Sequence, residues 1–211
     1  MPANPLLTVS ARCDEVIARH DLLRHPFYVA WAEGTLPVSA LLDYAREYGA
    51  FIATIGRGWE AIGESAAARV EDRHARVWER MFATALGTAV GAPRVDAVSR
   101  LVDVARQSFV AKTSALGALY AFEAQQPSTA RTKLRGLREH YHQLPESCGE
   151  YFRLHDDDYG EAALLGRQLD ALEPAEQQQA VDACDRMGRA LYDALTGIHE
   201  PHVNRDRVSI Q

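Results

Sequence analysis

Between residues 37 and 63, apolar side chains recur every three or four positions. Leu41, Tyr44, Ala45, Tyr48, Phe51, Ile52, Ile55, Trp59 and Ile62 make one continuous stripe. That period lays them on one face of a helix, not on alternate faces of a strand. Pro37 suits the first turn, where its missing N–H would have had no helical partner. A second stripe runs through Val98, Leu101, Val102, Ala105 and Phe109, and a third through Val181, Cys184, Met187, Leu191, Leu195 and Ile198. Turn chemistry separates these runs: Gly34-Thr35 before Pro37, then Gly87, Gly91-Ala92-Pro93, Pro145 and Pro174. The pattern predicts helices near 8–22, 26–33, 37–63, 71–87, 94–108, 112–125, 127–142, 146–157, 159–171 and 174–197, some joined across kinks. Strand alternation is nowhere sustained. The expected fold class is an all-α bundle, in which a site lies in the interior between facing helices.

Composition narrows the function. The 211 residues are 47% hydrophobic and 25% charged, ordinary for a globular chain. One domain is expected over 1–211, with a core over about 10–197. The net charge of -6 comes from 23 Lys and Arg against 29 Asp and Glu, which argues against a nucleic-acid partner. No apolar run has the length of a membrane span. The opening MPANPLLTVSAR lacks a charged stretch followed by an apolar one, so no signal peptide is expected, and the cytoplasm is the expected compartment. Cys13, Cys148 and Cys184 are far apart and odd in number, which argues against a disulfide framework and a CxxC zinc site. GxGxxG, GxxxxGK and GxSxG do not occur, so dinucleotide, P-loop and hydrolase readings have no support.

Three helices place an ionisable residue where the pattern calls for an apolar one. His74 lies in line with Val77, Trp78, Met81 and Ala85. Glu123 follows Leu116 and Leu119. His155 shares a face with Cys148, Tyr151, Phe152, Tyr159 and Ala162. A buried imidazole or carboxylate is costly unless paired, hydrogen-bonded or bound to metal. Two histidines and a glutamate facing one bundle interior fit iron or manganese. The plainer alternatives are hydrogen-bonded core histidines and an ion pair of Glu123 with Arg131 or Lys133. His140 and His142 sit at a polar helix end. Pro201 is expected to break the last helix, leaving His199 and His202 in a frayed tail. The run Asp156, Asp157, Asp158 reads as a solvated edge.

The string HPFYVAWAEGTLPVSALLDYAREY (25–48) resembles the opening of the heme-oxygenase-like family that includes TenA, PqqC and the di-iron oxidases. ALYAFEAQQPSTARTKLRGLREHY (118–141) and YFRLH (151–155) are closer to its subgroup of p-aminobenzoate-forming proteins. The resemblance implies a bundle of about seven helices, an iron (alternatively manganese) site, O2 as co-substrate and a homodimer. Carried over by motif, Glu64, His74, Glu123 and His155 are the metal ligands. Tyr28 is the sacrificed ring and Lys133 the amino donor, so the substrate is either a small molecule or the protein's own side chains. Two family ligand positions are altered: Tyr159 and Ala162 stand where Asp and His are expected. Asp158 is one step from the first, and no nearby residue is expected to replace the lost histidine. The ten-residue step from Glu64 to His74 also exceeds the family spacing. The alternatives are a metal-free enzyme of PqqC or TenA type on a small organic substrate, and a non-catalytic relative.

Overall fold

Every regular element among the described residues is helical. The computed structural model describes residues 7–208, and side chains as far as residue 203; half of the stretch on which the signal-peptide expectation rests, residues 1–6, lies outside them. Helix α1 (Val9–Arg19) starts at Thr8, whose hydroxyl accepts the Ala11 N–H. Helix α2 (Pro26–Ala32) has proline in its first turn and His25 as its cap, with Nδ1 accepting the Phe27 N–H at 3.0 Å. The stripe predicted as one helix over 37–63 folds as α3 (Val38–Ile52) and α4 (Ile55–Ala61). The break falls at Ala53-Thr54, where the Thr54 hydroxyl donates to the Phe51 carbonyl at 2.7 Å and competes with the helical ladder.

Gly63, at φ 88°, turns the chain from α4 into α5 (Ser65–Val77). This helix begins earlier than the pattern predicted and runs on into a π-helical segment, Trp78–Ala83. The wider turns of that segment change the register, so Phe82 and Ala83 face the core while Met81, expected on the stripe, is exposed. Next come α6 (Asp96–Ser108), α7 (Lys112–Glu123) and α8 (Gln126–His140). The helix predicted over 146–157 is instead a 3-10 turn, Glu146–Gly149, then the four-residue α9 (Glu150–Arg153) and a turn. Helix α10 (Gly160–Asp170) and the long α11 (Pro174–Val208) complete the bundle.

The fraying expected at Pro201 does not occur, since α11 continues through it. An interior proline costs a helix about 3 kcal/mol. The opposing contacts are local. His202 is buried, its Nε2 2.9 Å from Asp43 Oδ2 and its Nδ1 3.2 Å from Ser39 Oγ, both on α3. His199 packs edge-on against Phe27.

Helix α7 is buried on every side from Thr113 to Glu123 and packs against α11, α10 and α4. Gly117 permits that depth: a Cβ there would fall on the Ala180 carbonyl of α11. A second layer of rings, Trp31, Tyr44, Trp78, Phe82, Tyr151 and Phe152, joins α2, α3, the π segment and α9. Among the described residues no helix is long and apolar enough to cross a membrane.

Candidate metal centre

Helix α5 carries Glu71 and His74 three residues apart, the spacing that puts two side chains on one face. The turn after α9 carries His155, and α7 ends on Glu123. One ligand-type atom each from Glu71, His74 and His155 lie within 4.8 Å of one another. The two imidazole rings meet edge to face, with centroids 4.7 Å apart. Glu71 Oε1 is 2.7 Å from His74 Nδ1, yet neither atom is aligned for a hydrogen bond. Both Glu71 oxygens, His74 Nδ1, His155 Nε2 and Glu123 Oε2 are buried without a hydrogen-bond partner. Leaving one such group unpaired costs about 1–3 kcal/mol. Several together, mixing imidazole nitrogen and carboxylate oxygen, form a donor set that fits a divalent transition metal.

The electrostatics agree with a ligand set. Burial, then the neighbouring His74 and Lys133, pushes the His155 pKa down to about 3, so its imidazole is neutral with a free lone pair. Glu123 accepts one hydrogen bond, from the Trp59 indole N–H at 3.3 Å. Burial first, then Glu161 and Glu71, raises its carboxyl well above the usual range. Of the predicted ligands, His74 and His155 therefore meet, and Glu123 bears on the same carboxylate, Glu71. Glu64 is not in the cluster. It lies at the start of α5, two helical turns or about 10 Å before Glu71, and accepts from Gln168 Nε2 at 2.8 Å. Glu71, not singled out from the sequence, holds that place. It lies three residues before His74 on the same apolar stripe, and that periodicity was the signal for it.

Neither basic residue offered as a partner for Glu123 is its hydrogen-bonded companion. Arg131 is exposed and donates to the Asp156 carbonyl at 2.8 Å and to the Tyr159 hydroxyl at 3.1 Å. Lys133 is buried, and its Nζ lies 4.8 Å from the Tyr28 ring centroid, 5.1 Å from Phe152 and 5.7 Å from Tyr44. No carboxylate among the described residues pairs with it, and burial pulls its pKa down to about 7. The Tyr28 hydroxyl is 2.9 Å from that of Tyr44, and burial raises the Tyr28 pKa.

An all-helical bundle enclosing a carboxylate–histidine cluster defines the class: a heme-oxygenase-like fold with a candidate non-heme metal centre. A family model described as iron-containing redox enzyme, of the haem-oxygenase type, matches residues 21–192, and the chain belongs to that family. Over its length it is similar to the 4-aminobenzoate synthase of Nitrosomonas europaea, at 27% identity with 92% of each chain covered. It is also similar to that of Chlamydia muridarum, at 25% identity with 89% of each covered. The fold resembles a TenA homologue from P. horikoshii, with a TM-score of 0.71, 12% identity, and 92% and 99% of the two chains covered. It also resembles a cadd-like protein of unknown function from Nostoc punctiforme, with a TM-score of 0.60, 16% identity, and 90% and 98% covered.

Proposed function

We propose that this chain is a metal-dependent, O2-using oxidase that forms p-aminobenzoate, with Tyr28 supplying the ring and Lys133 the amine. Glu71, His74 and His155 hold the metal, with Glu123 facing them from α7. Iron is the favoured ion and manganese the alternative, because both accept mixed imidazole and carboxylate donors. The bound metal supplies the O2 chemistry.

The observation that carries this reading is the placement of the Lys133 amine over the Tyr28 ring, 4.8 Å from its centroid, in the same interior as the orphaned ligands. With its pKa near 7, Lys133 is substantially unprotonated at neutral pH and offers a nitrogen lone pair. Tyr44 fixes the Tyr28 hydroxyl through their shared hydrogen bond. The surrounding rings exclude water from both groups. Two relatives with the name 4-aminobenzoate synthase, each similar over most of the chain, favour the same product.

The test is to load metal-free protein with ferrous iron without oxygen, admit O2, and map the peptides bearing Tyr28 and Lys133 by mass. The expected result is bound iron, O2-dependent mass loss at both positions and released p-aminobenzoate, all abolished in His155→Ala. Absence of bound iron, or both residues unchanged after O2, refutes the reading.

A further inference from the structure

Helix α5 has two unlike sides. Glu71 and His74 face the cluster, and Trp78, one turn on, is buried. The other side carries Arg69, Arg73, Arg76 and Arg80, all exposed. Steps of four, three and four residues line them up on one face. At about 3.6 residues per turn, that face lies opposite the one shared by Glu71 and His74. Arg80 belongs to the π segment, where the turns widen, and its Nε donates to the Arg76 carbonyl at 3.4 Å, which keeps it beside Arg76. The row is about 16 Å long at about 1.5 Å per residue.

Among the described residues the close approach of a cation to a carboxylate on α5 is that of His74 to Glu71, and none of the four arginines has a carboxylate partner. Asp72, at one edge of the row, is turned toward α4: its Oδ1 lies 2.5 Å from where a Cβ on Gly56 would be. Like charges spaced four apart on a helix repel one another, and a negatively charged partner relieves that cost. The chain's net charge is -6, so this basic face stands against an acidic background.

We infer that the outer face of α5 docks a small acidic protein that carries single electrons and supplies them to the metal cluster on the inner face. The inference rests on the metal-dependent reading above and names a partner for it. O2 oxidises ferrous iron, so such a site needs an electron source. Each encounter moves one electron: the carrier is oxidised, a ferric ion in the cluster is reduced to ferrous, and no bond is made or broken. Only the width of α5, about 10 Å, separates the arginine row from Glu71 and His74. A row this short suits the small, transient interfaces of electron carriers. The acidic remainder of the surface repels an acidic partner, so charge also sets where it lands. A nucleic acid, longer than the row, would meet that repulsion on either side of it.

The test uses a plant-type two-iron ferredoxin, a small acidic one-electron carrier, as the probe. Calorimetric titration of the metal-free full chain is expected to show binding that weakens steeply with salt. The double variant Arg73→Glu, Arg76→Glu is expected to bind about tenfold more weakly or worse. The same charge change at exposed arginines of α8 and α10, Arg135→Glu with Arg167→Glu, is expected to leave binding as in wild type. Melting temperature and oligomeric state are expected to match in all three proteins. Reduced ferredoxin mixed without oxygen with the ferric-loaded chain is expected to give up one electron per bound ion, followed by its visible absorbance, and to do so about tenfold more slowly with the α5 variant. Ferredoxin that does not bind wild type, binds both double variants alike, or binds without giving up its electron overturns the inference. So does a changed oligomeric state in the α5 variant, which assigns the row to a second copy of the chain, and so does binding of duplex DNA or phosphatidylserine vesicles in place of ferredoxin. Absence of bound iron in wild type overturns the metal reading and the electron step with it, while the titration on metal-free protein still decides the docking face.

Discussion

Lys133 sits 3% exposed in a box of aromatic rings, and its proton is costly there. The folded protein holds that proton less tightly than the unfolded chain does, because burial lowers the pKa from 10.5 to about 7. Below pH 7 both states are protonated and the full penalty applies. Stability contributed by this group then rises as pH climbs from about 7 toward 10. Lys133→Met keeps the length of the side chain and discards the charge. It is expected to stabilise the metal-free protein by about 2 kcal/mol at pH 6, an advantage that fades toward pH 10. Thermal melts of both proteins across that range check the sign; an advantage that grows with pH contradicts it. From the sequence, Lys133 reads as either an ion-pair partner for Glu123 or an amine donor. Its place among rings is not legible there, because the rings come from α2, α3 and α9, distant in the chain.

The close approach of α7 and α11 depends on Gly117, whose missing Cβ makes room for the Ala180 carbonyl. Gly117→Ala gains helix propensity of about 1 kcal/mol but forces two backbones apart. The expected net effect is a loss of about 3 kcal/mol or more, read as a lower denaturation midpoint with an unchanged m-value. A neutral or stabilised variant would mean that the helices separate freely. Periodicity finds the long stripes well: the 37–63 stripe is buried as predicted, and the C-terminal helix is where its apolar positions place it. It fails where the helical period itself changes. The π segment moves Met81 outward, and the turn after Arg153 puts Tyr159 outside the face it was expected to share with His155. The site inherits both the success and the failure. His74, Glu123 and His155 are legible as ionisable residues on apolar stripes. Glu71 is masked by the polar run around it, EDRH, and Glu64 is drawn in only by analogy of motif.

Over the molecule as a whole, the buried titratable groups push stability in opposite directions with pH. His25 and His155, lowered to about 4 and 3 by burial, contribute stability that grows with pH and is complete above their ordinary value of 6.5. Glu161 is raised from 4.5 to about 8 by burial, Glu71 and Asp158, so the native metal-free protein keeps a proton that the unfolded chain releases. Its contribution is present at low pH and is lost as pH rises through about 8. Metal-free wild type is therefore expected to lose more melting temperature between pH 6.5 and 8 than Glu161→Gln, by on the order of 3 °C. Parallel melting curves for the two proteins contradict this, and addition of a divalent cation is expected to flatten the wild-type slope.

The imidazole of His202 bridges Ser39 and Asp43 from beyond a proline that would otherwise end its helix. A truncation placed just after Gly197, where the helix predicted from sequence ends, would remove that clasp and His199 with it. It would leave Asp43 with Arg46 as its remaining ionic neighbour and release the packing around Phe27, one residue from the tyrosine on which the proposed chemistry depends. Trimming this end would thus disturb the interior that the proposed chemistry needs.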